Sequence, residues 1–145
     1  MSDHDGEPKA SLLVGSELRE LSRISSWIQD WAESQRLSPK LALKLDLCST
    51  EVVTNIMNYA CGNGGQLILL RLGWQGENVA LEVEDEGSEF DPRKVPEPAR
   101  ATSVQDARIG GWGIPIVRRF SDDLSYRHED GRNCLTLLFR AGRPP

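Results

Sequence analysis

The chain has 145 residues, 39% of them hydrophobic and 27% charged, with a formal net charge of −5. This is the composition of a soluble globular chain long enough to bury one core. The acidic balance argues against non-specific nucleic-acid binding, and no apolar run approaches the length of a membrane span.

Residues 1–8, Met-Ser-Asp-His-Asp-Gly-Glu-Pro, are polar and acidic. They lack the pattern of a signal peptide and read as a disordered tail ahead of a single domain over 9–145. Lys9 to Val14 reads as a short edge strand. Ser16 is placed to cap a helix on which Leu18, Leu21, Ile24, Ile28 and Trp31 recur at spacings of three and four. That helix is expected to end near Arg36. Ser38-Pro39 is a second start, a capping residue followed by proline at the first helical position. The helix it opens runs to about Ala60, with Leu41, Leu45, Cys48, Val52 and Ile56 on its core face and Gly62-Asn-Gly-Gly65 as its stop.

Gln66 to Trp74 and Asn78 to Glu84 are apolar-rich strand candidates joined by the tight connection Gln75-Gly-Glu77. Glu86 to Gly113 shows no periodicity, contains Pro92, Pro96 and Pro98, and reads as a long functional loop. A third helix is expected from about Ile114 to Ser121. Leu124 to His128 and Asn133 to Arg140 form a second hairpin around Glu129-Asp-Gly-Arg132. The two hairpins favour an α+β fold: a two-layer sandwich with a mostly antiparallel sheet covered on one face by about three helices. Cys48, Cys61 and Cys134 are odd in number and lack metal or redox spacing, so thiols buried in a reducing cytosol are expected.

Three segments carry chemistry. Glu51 and Asn55 are four apart on the second helix and share a face offset from its apolar stripe, with Asn58 continuing it. A carboxylate beside an amide suits magnesium, or the carboxylate accepts a proton from a nucleophile attacking phosphorus. A solvated helix face presents the same pattern. Asp85-Glu-Gly87 ends a strand. A carboxylate there accepts a hydrogen bond from an exocyclic amine such as that of adenine, and the glycine admits a flat ring to the backbone. An ordinary turn has the same residues. Gly110-Gly-Trp-Gly113 precedes a helix start, where backbone N–H groups and the helix dipole cradle anions. From Arg93 to Arg119 six basic residues face two acidic ones, a local charge of +4 in an acidic chain. This is neither a P-loop nor a dinucleotide fingerprint.

With the three in order, the chain resembles the GHKL ATPase superfamily and, within it, the anti-sigma-factor serine kinases of the RsbW type. Glu51-Val-Val-Thr-Asn55-Ile-Met-Asn-Tyr59-Ala matches the N box, Val83-Glu-Asp85-Glu-Gly87-Ser-Glu-Phe-Asp91-Pro the first glycine box, and Gly110-Gly-Trp-Gly113-Ile-Pro-Ile-Val the second. Glu89 stands where a second glycine is common, and Pro115 and Tyr59-Ala-Cys61 also depart from the usual pattern. The resemblance implies the Bergerat fold and an ATP/ADP site with Mg2+. It makes Glu51 the catalytic base and Asn55 the metal ligand. Asp85 reads adenine, and Asn58, Gly87, Gly110, Gly111, Trp112, Gly113 and Ile114 line the nucleotide. Residues 93–109 form a lid, expected to be mobile without nucleotide, that brings Arg100 or Arg108 to the phosphates. It further implies a cytoplasmic homodimer with two protein partners, a sigma factor and a STAS-domain anti-anti-sigma protein. Neither nucleic acid nor membrane is among its expected partners. Arg19 and Arg23 on the first helix are candidates for partner contact. The alternatives are a binding module that uses nucleotide without transferring a phosphoryl group, and a detached histidine-kinase catalytic domain.

Overall fold

Side-chain alternation along the strands decides which way the sheet faces. The computed structural model describes residues 9–60, 66–87, 89, 91 and 113–142. The expected tail 1–8, Cys61, the helix stop 62–65, the lid 93–109 with Arg100 and Arg108, and the glycine-loop residues Gly110, Gly111 and Trp112 lie outside the described residues. Among those described, strands β1 (Ala10–Gly15), β2 (Leu67–Gln75), β3 (Asn78–Asp85), β4 (Asp123–Glu129) and β5 (Arg132–Arg140) form one sheet of order β1-β2-β3-β5-β4. Every pairing is antiparallel. With helices α1 (Leu21–Ser34), α2 (Pro39–Asn55) and α3 (Gly113–Phe120), the two-layer α+β reading holds.

Ile68, Leu70, Leu72 and Trp74 of β2, Val79, Leu81 and Val83 of β3, and Leu135, Leu137 and Phe139 of β5 point to one face. They share a core with Ile24, Ile28 and Trp31 of α1, Leu41, Leu45, Cys48, Val52 and Val53 of α2, and Val117 of α3. Burying such side chains contributes on the order of 1.5–3 kcal/mol each, which orders the helices on that face. The alternate residues, including Leu13 and Leu67, which are 50% and 58% exposed, lie on the other face. Arg71 there bridges Glu82 and Glu84 at 3.5 and 3.2 Å. Such partly exposed pairs contribute little stability. No helix among the described residues is long and apolar enough to cross a membrane.

The start of the first helix differs from the sequence expectation. Ser16 does not cap it: its Oγ accepts from the Gln66 backbone N–H at 3.3 Å, tying the end of β1 to the approach of β2. The chain makes a 3-10 turn over Leu18–Glu20 before α1 begins at Leu21. A 3-10 turn advances three residues per turn and loses phase with the helix that follows, so Leu18 leaves the apolar stripe and is 51% exposed. At the other end Arg36 takes a left-handed φ of 57°. Arg36 N–H donates to the Glu33 carbonyl and Leu37 N–H to the Ala32 carbonyl, the paired bonds of a Schellman stop.

α2 starts as expected. Ser38 Oγ accepts from Leu41 N–H at 3.1 Å, and Pro39 occupies the first turn, where its missing donor costs nothing. Its far end differs: after Asn55 the chain widens into a π turn over Ile56–Ala60. Thr54 Oγ1 donates to the carbonyls of Thr50 and Glu51 at 2.9 and 3.1 Å. This side chain competes for carbonyls in the last α turn, a habit that bends helices.

Both hairpins follow turn chemistry. Gly76 has a φ of 63°, and Asp130 and Gly131 have φ of 54° and 75°. Two successive positive-φ residues make the Asp-Gly turn of type I′, whose twist suits paired strands.

Candidate functional site

α2, β3 and α3 carry the described candidate residues. Val52 and Val53 of α2 are locked into the core, which leaves Glu51 and Asn55 at the border of the buried stripe. Asn55 is 3% exposed. Among the described residues, Glu51 Oε2 and Asn55 Nδ2 are buried with no hydrogen-bond partner. Gln66 Oε1 is a third such atom. Buried polar groups are nearly always paired, so the two atoms one turn apart on α2 are candidates for a partner outside the chain. Burial also pushes the Glu51 carboxyl above its usual range. Asn58, in the π turn, is exposed.

Asp85 ends β3 with the parity of Val79, Leu81 and Val83, so its side chain lies on the helix side of the sheet. It is 3% exposed. Its Oδ1 accepts from Gly87 N–H at 2.8 Å and from Asn133 Nδ2 at 3.0 Å. Among the described residues Oδ2 takes no hydrogen bond. Burial pushes this carboxyl up, while the bonds from Asn133 and Gly87 and the charge of His128 pull it down. Gly87 is buried beside it.

Gly113 and Ile114 open α3, which packs on α2 and sends Val117 into the shared core. Pro115 falls in the first turn of α3, where no intrahelical N–H bond is lost. The helix start therefore stands beside the helix that bears Glu51 and Asn55. Arg19 and Arg23 are both exposed, but Arg19 lies in the 3-10 turn and not on α1. Arg19 pairs with Glu17 at 2.5 Å, and Arg23 with Glu20 at 3.5 Å.

Asn133, Tyr126 and His128 were not anticipated. Tyr126 hydroxyl donates to Asn133 Oδ1 at 2.5 Å, and His128 Nδ1 stands 3.3 Å from the same oxygen. The signal was present: Asn133 is polar at a strand position whose neighbours in phase, Leu135, Leu137 and Phe139, are core residues.

Residues 14–139 match the family of histidine kinase-like ATPase domains. The chain belongs to that family. Membership implies ATP or ADP binding and supports kinase or ATPase chemistry. This ATPase domain is 36% identical over 112 residues to the serine/threonine-protein kinase BtrW of Bordetella bronchiseptica, covering 77% of this chain and 79% of the relative. Its fold resembles the RsbU and RsbW domains of Rv1364c from Mycobacterium tuberculosis, with a TM-score of 0.62 and 17% identity. That match covers 94% of this chain and 33% of the mycobacterial one. It also resembles the histidine kinase domain of the blue-light activated histidine kinase EL346 of Erythrobacter litoralis, with a TM-score of 0.50 and 17% identity, over 85% of this chain and 60% of that one. The ATPase domain thus spans about a third and three fifths of these two chains.

The residues fit a magnesium nucleotide. No three His, Cys, Asp or Glu side chains cluster among the described residues. Magnesium commonly takes one or two protein oxygens and keeps waters and substrate phosphates in its shell. Among the described residues no acceptor holds the Asn55 amide nitrogen, and the amide also carries an oxygen of the kind a hard cation takes.

Proposed function

We propose that this ATPase domain is a protein-serine kinase and anti-sigma factor. It transfers the γ-phosphoryl group of ATP to a serine of a STAS-type anti-anti-sigma protein, and it sequesters a sigma factor until that partner removes it. The observation that carries the reading is the half-buried Glu51 carboxylate: its Oε2 is buried and unpaired among the described residues, and burial raises its proton affinity. A base so placed takes the proton of an attacking hydroxyl. In the transfer the serine Oγ bonds to the γ-phosphorus, the bond from that phosphorus to the bridging oxygen of ADP breaks, and the hydroxyl proton passes to Glu51. The likeness to a serine/threonine-protein kinase over most of both chains supports a protein hydroxyl as acceptor.

Asn55 is the magnesium ligand, and the ion supplies charge neutralisation at the phosphates. Asp85 takes the adenine amine, and Gly87 lets the ring lie against the backbone. Gly113 and Ile114, at the start of α3, face phosphate together with Gly110, Gly111 and Trp112, and a lid arginine, Arg100 or Arg108, completes the charge. The working form is a homodimer, with Arg19 and Arg23 on the partner-facing surface.

The test is incubation with labelled ATP and candidate STAS proteins. The product is expected to be acid-stable and alkali-labile, as phosphoserine is. Glu51→Ala is expected to keep ATP binding and to lower the transfer rate by roughly 10²–10⁴-fold. Asn55→Ala is expected to lose magnesium-dependent affinity and transfer together. Transfer at the wild-type rate by Glu51→Ala would remove the base assignment. An acid-labile product would point to a histidine acceptor. Binding of ATP and partner without transfer would leave a nucleotide-dependent binding module.

A further inference from the structure

Asn133 is joined to the site by register alone. It is the second residue of β5 and lies directly opposite Asp85, although 48 residues separate them in sequence. It is 5% exposed, and its amide orientation is decided by its neighbours. An ionised carboxylate only accepts hydrogen bonds, so the group facing Asp85 Oδ1 is the NH2. That NH2 donates to Asp85 Oδ1 at 3.0 Å and to the Gly87 carbonyl at 3.4 Å. The amide oxygen points the other way and accepts from Tyr126 hydroxyl at 2.5 Å, with His128 Nδ1 at 3.3 Å. The amide is thus gripped at both ends. A chain of bonds runs from β4 through β5 to the end of β3, inside the covered face of the sheet.

The consequence falls on Asp85. With Gly87 N–H and Asn133 both on Oδ1, the carboxyl group has one rotation and one oxygen to spare. The same two donors counter the burial that would otherwise favour a protonated acid. An ionised, oriented carboxylate accepts from an amine. A protonated or freely turning one would also donate to a carbonyl.

We propose that Asn133, clamped by Tyr126, is a positioning residue that presents Asp85 as a pure acceptor and so makes the site select a purine with a 6-amino group over one with a 6-carbonyl group. The proposal rests on the reading of Asp85 as the adenine contact.

ATP and ITP are the probes, since they differ at that position of the ring. Dissociation constants for both are measured by calorimetry on the full chain, with circular dichroism to establish folding. Wild-type protein is expected to prefer ATP by about 10- to 100-fold, the scale of one mismatched buried hydrogen bond. Asn133→Ala is expected to weaken ATP about 10-fold while leaving ITP equal or tighter, so that the preference narrows. Asn133→Thr, whose hydroxyl donates from the same strand position, is expected to recover part of it. Tyr126→Phe keeps the ring and removes the clamp, and is expected to narrow the preference in the same direction by less. It also carries the test should Asn133→Ala fail to fold. Equal weakening of ATP and ITP in these variants would mean a merely structural role and would overturn the proposal. Asp85→Asn separates the two levels. If it erases the preference while Asn133→Ala and Tyr126→Phe retain it in full, the Asn133 proposal alone falls. If Asp85→Asn itself leaves the preference intact, the adenine reading of Asp85 falls with it.

Discussion

Glu51 is a half-buried carboxylate and Asp85 a buried one, and this has a pH signature in the protein without nucleotide. Burial raises the Glu51 carboxyl above the 4.5 of a free side chain. The folded state therefore holds a proton that the unfolded chain releases, across the window between the ordinary and the raised value. Stability from this group is fully present below that window and is lost as pH rises through the raised folded value. Asp85 moves in the same direction, tempered by its two donors. Glu51→Gln removes the charge and is expected to stabilise the nucleotide-free protein at neutral pH by roughly 0.5–2 kcal/mol, with little gain in mild acid. Urea denaturation of both proteins across the acid-to-neutral range measures this, and parallel pH profiles would show that Glu51 is not the group concerned. The buried thiols behave differently. Cys48 is pushed up to about 12, chiefly by burial, with Glu51 adding to the shift. It stays a neutral core side chain at any ordinary pH.

Among the elements, helix boundaries carry the most accessible energies. Arg36 holds a left-handed backbone at the Schellman stop of α1, where a Cβ is disfavoured and glycine is not. Arg36→Gly is expected to stabilise the fold by up to about 1 kcal/mol, read as a higher denaturation midpoint at unchanged slope. Loss of stability would mean that the arginine side chain holds the turn by contacts of its own. Ser38 is the contrasting boundary. Its cap on α2 follows from a local rule, and Ser38→Ala is expected to cost about 1 kcal/mol. The second start was legible because Ser-Pro satisfies helix geometry within four residues. The first was not, because the Ser16 hydroxyl serves a partner fifty residues away and no local rule contains that bond. The π turn after Asn55 was likewise out of reach, since Ile-Met-Asn-Tyr-Ala is compatible with an ordinary α turn.

At the scale of the whole molecule, the sheet order makes the site. β5 enters between β3 and β4, so the last of the described strands lies against the strand that carries Asp85. Leu81 and Leu137, paired across this junction, are both fully buried. Leu81→Ala is expected to cost about 2–5 kcal/mol, and to weaken nucleotide binding only in proportion to the unfolded fraction. Thermal melts with and without ATP distinguish that outcome from a direct effect on the site. The proposed homodimer also belongs at this scale. Sedimentation at micromolar concentration is expected to give a dimer, and a monomer unaltered by nucleotide would overturn it.

What the sequence determined by itself was local or periodic. It determined the strands from their apolar runs, the start of α2 from Ser38-Pro39, the hairpins from Gly76 and Asp130-Gly131, and the pairing of Glu51 with Asn55 from a spacing of four. These follow from constraints acting within a few residues, where sterics and helical or strand periodicity leave few choices. Tertiary structure alone decided that Ser16 serves Gln66, that Leu18 faces solvent, that Glu51 Oε2 and Asn55 Nδ2 are buried with no hydrogen-bond partner among the described residues, and that Asn133 grips Asp85. Each depends on which distant segment arrives alongside. That is set by the summed burial of the whole core and by strand register, and no window of neighbouring residues contains either.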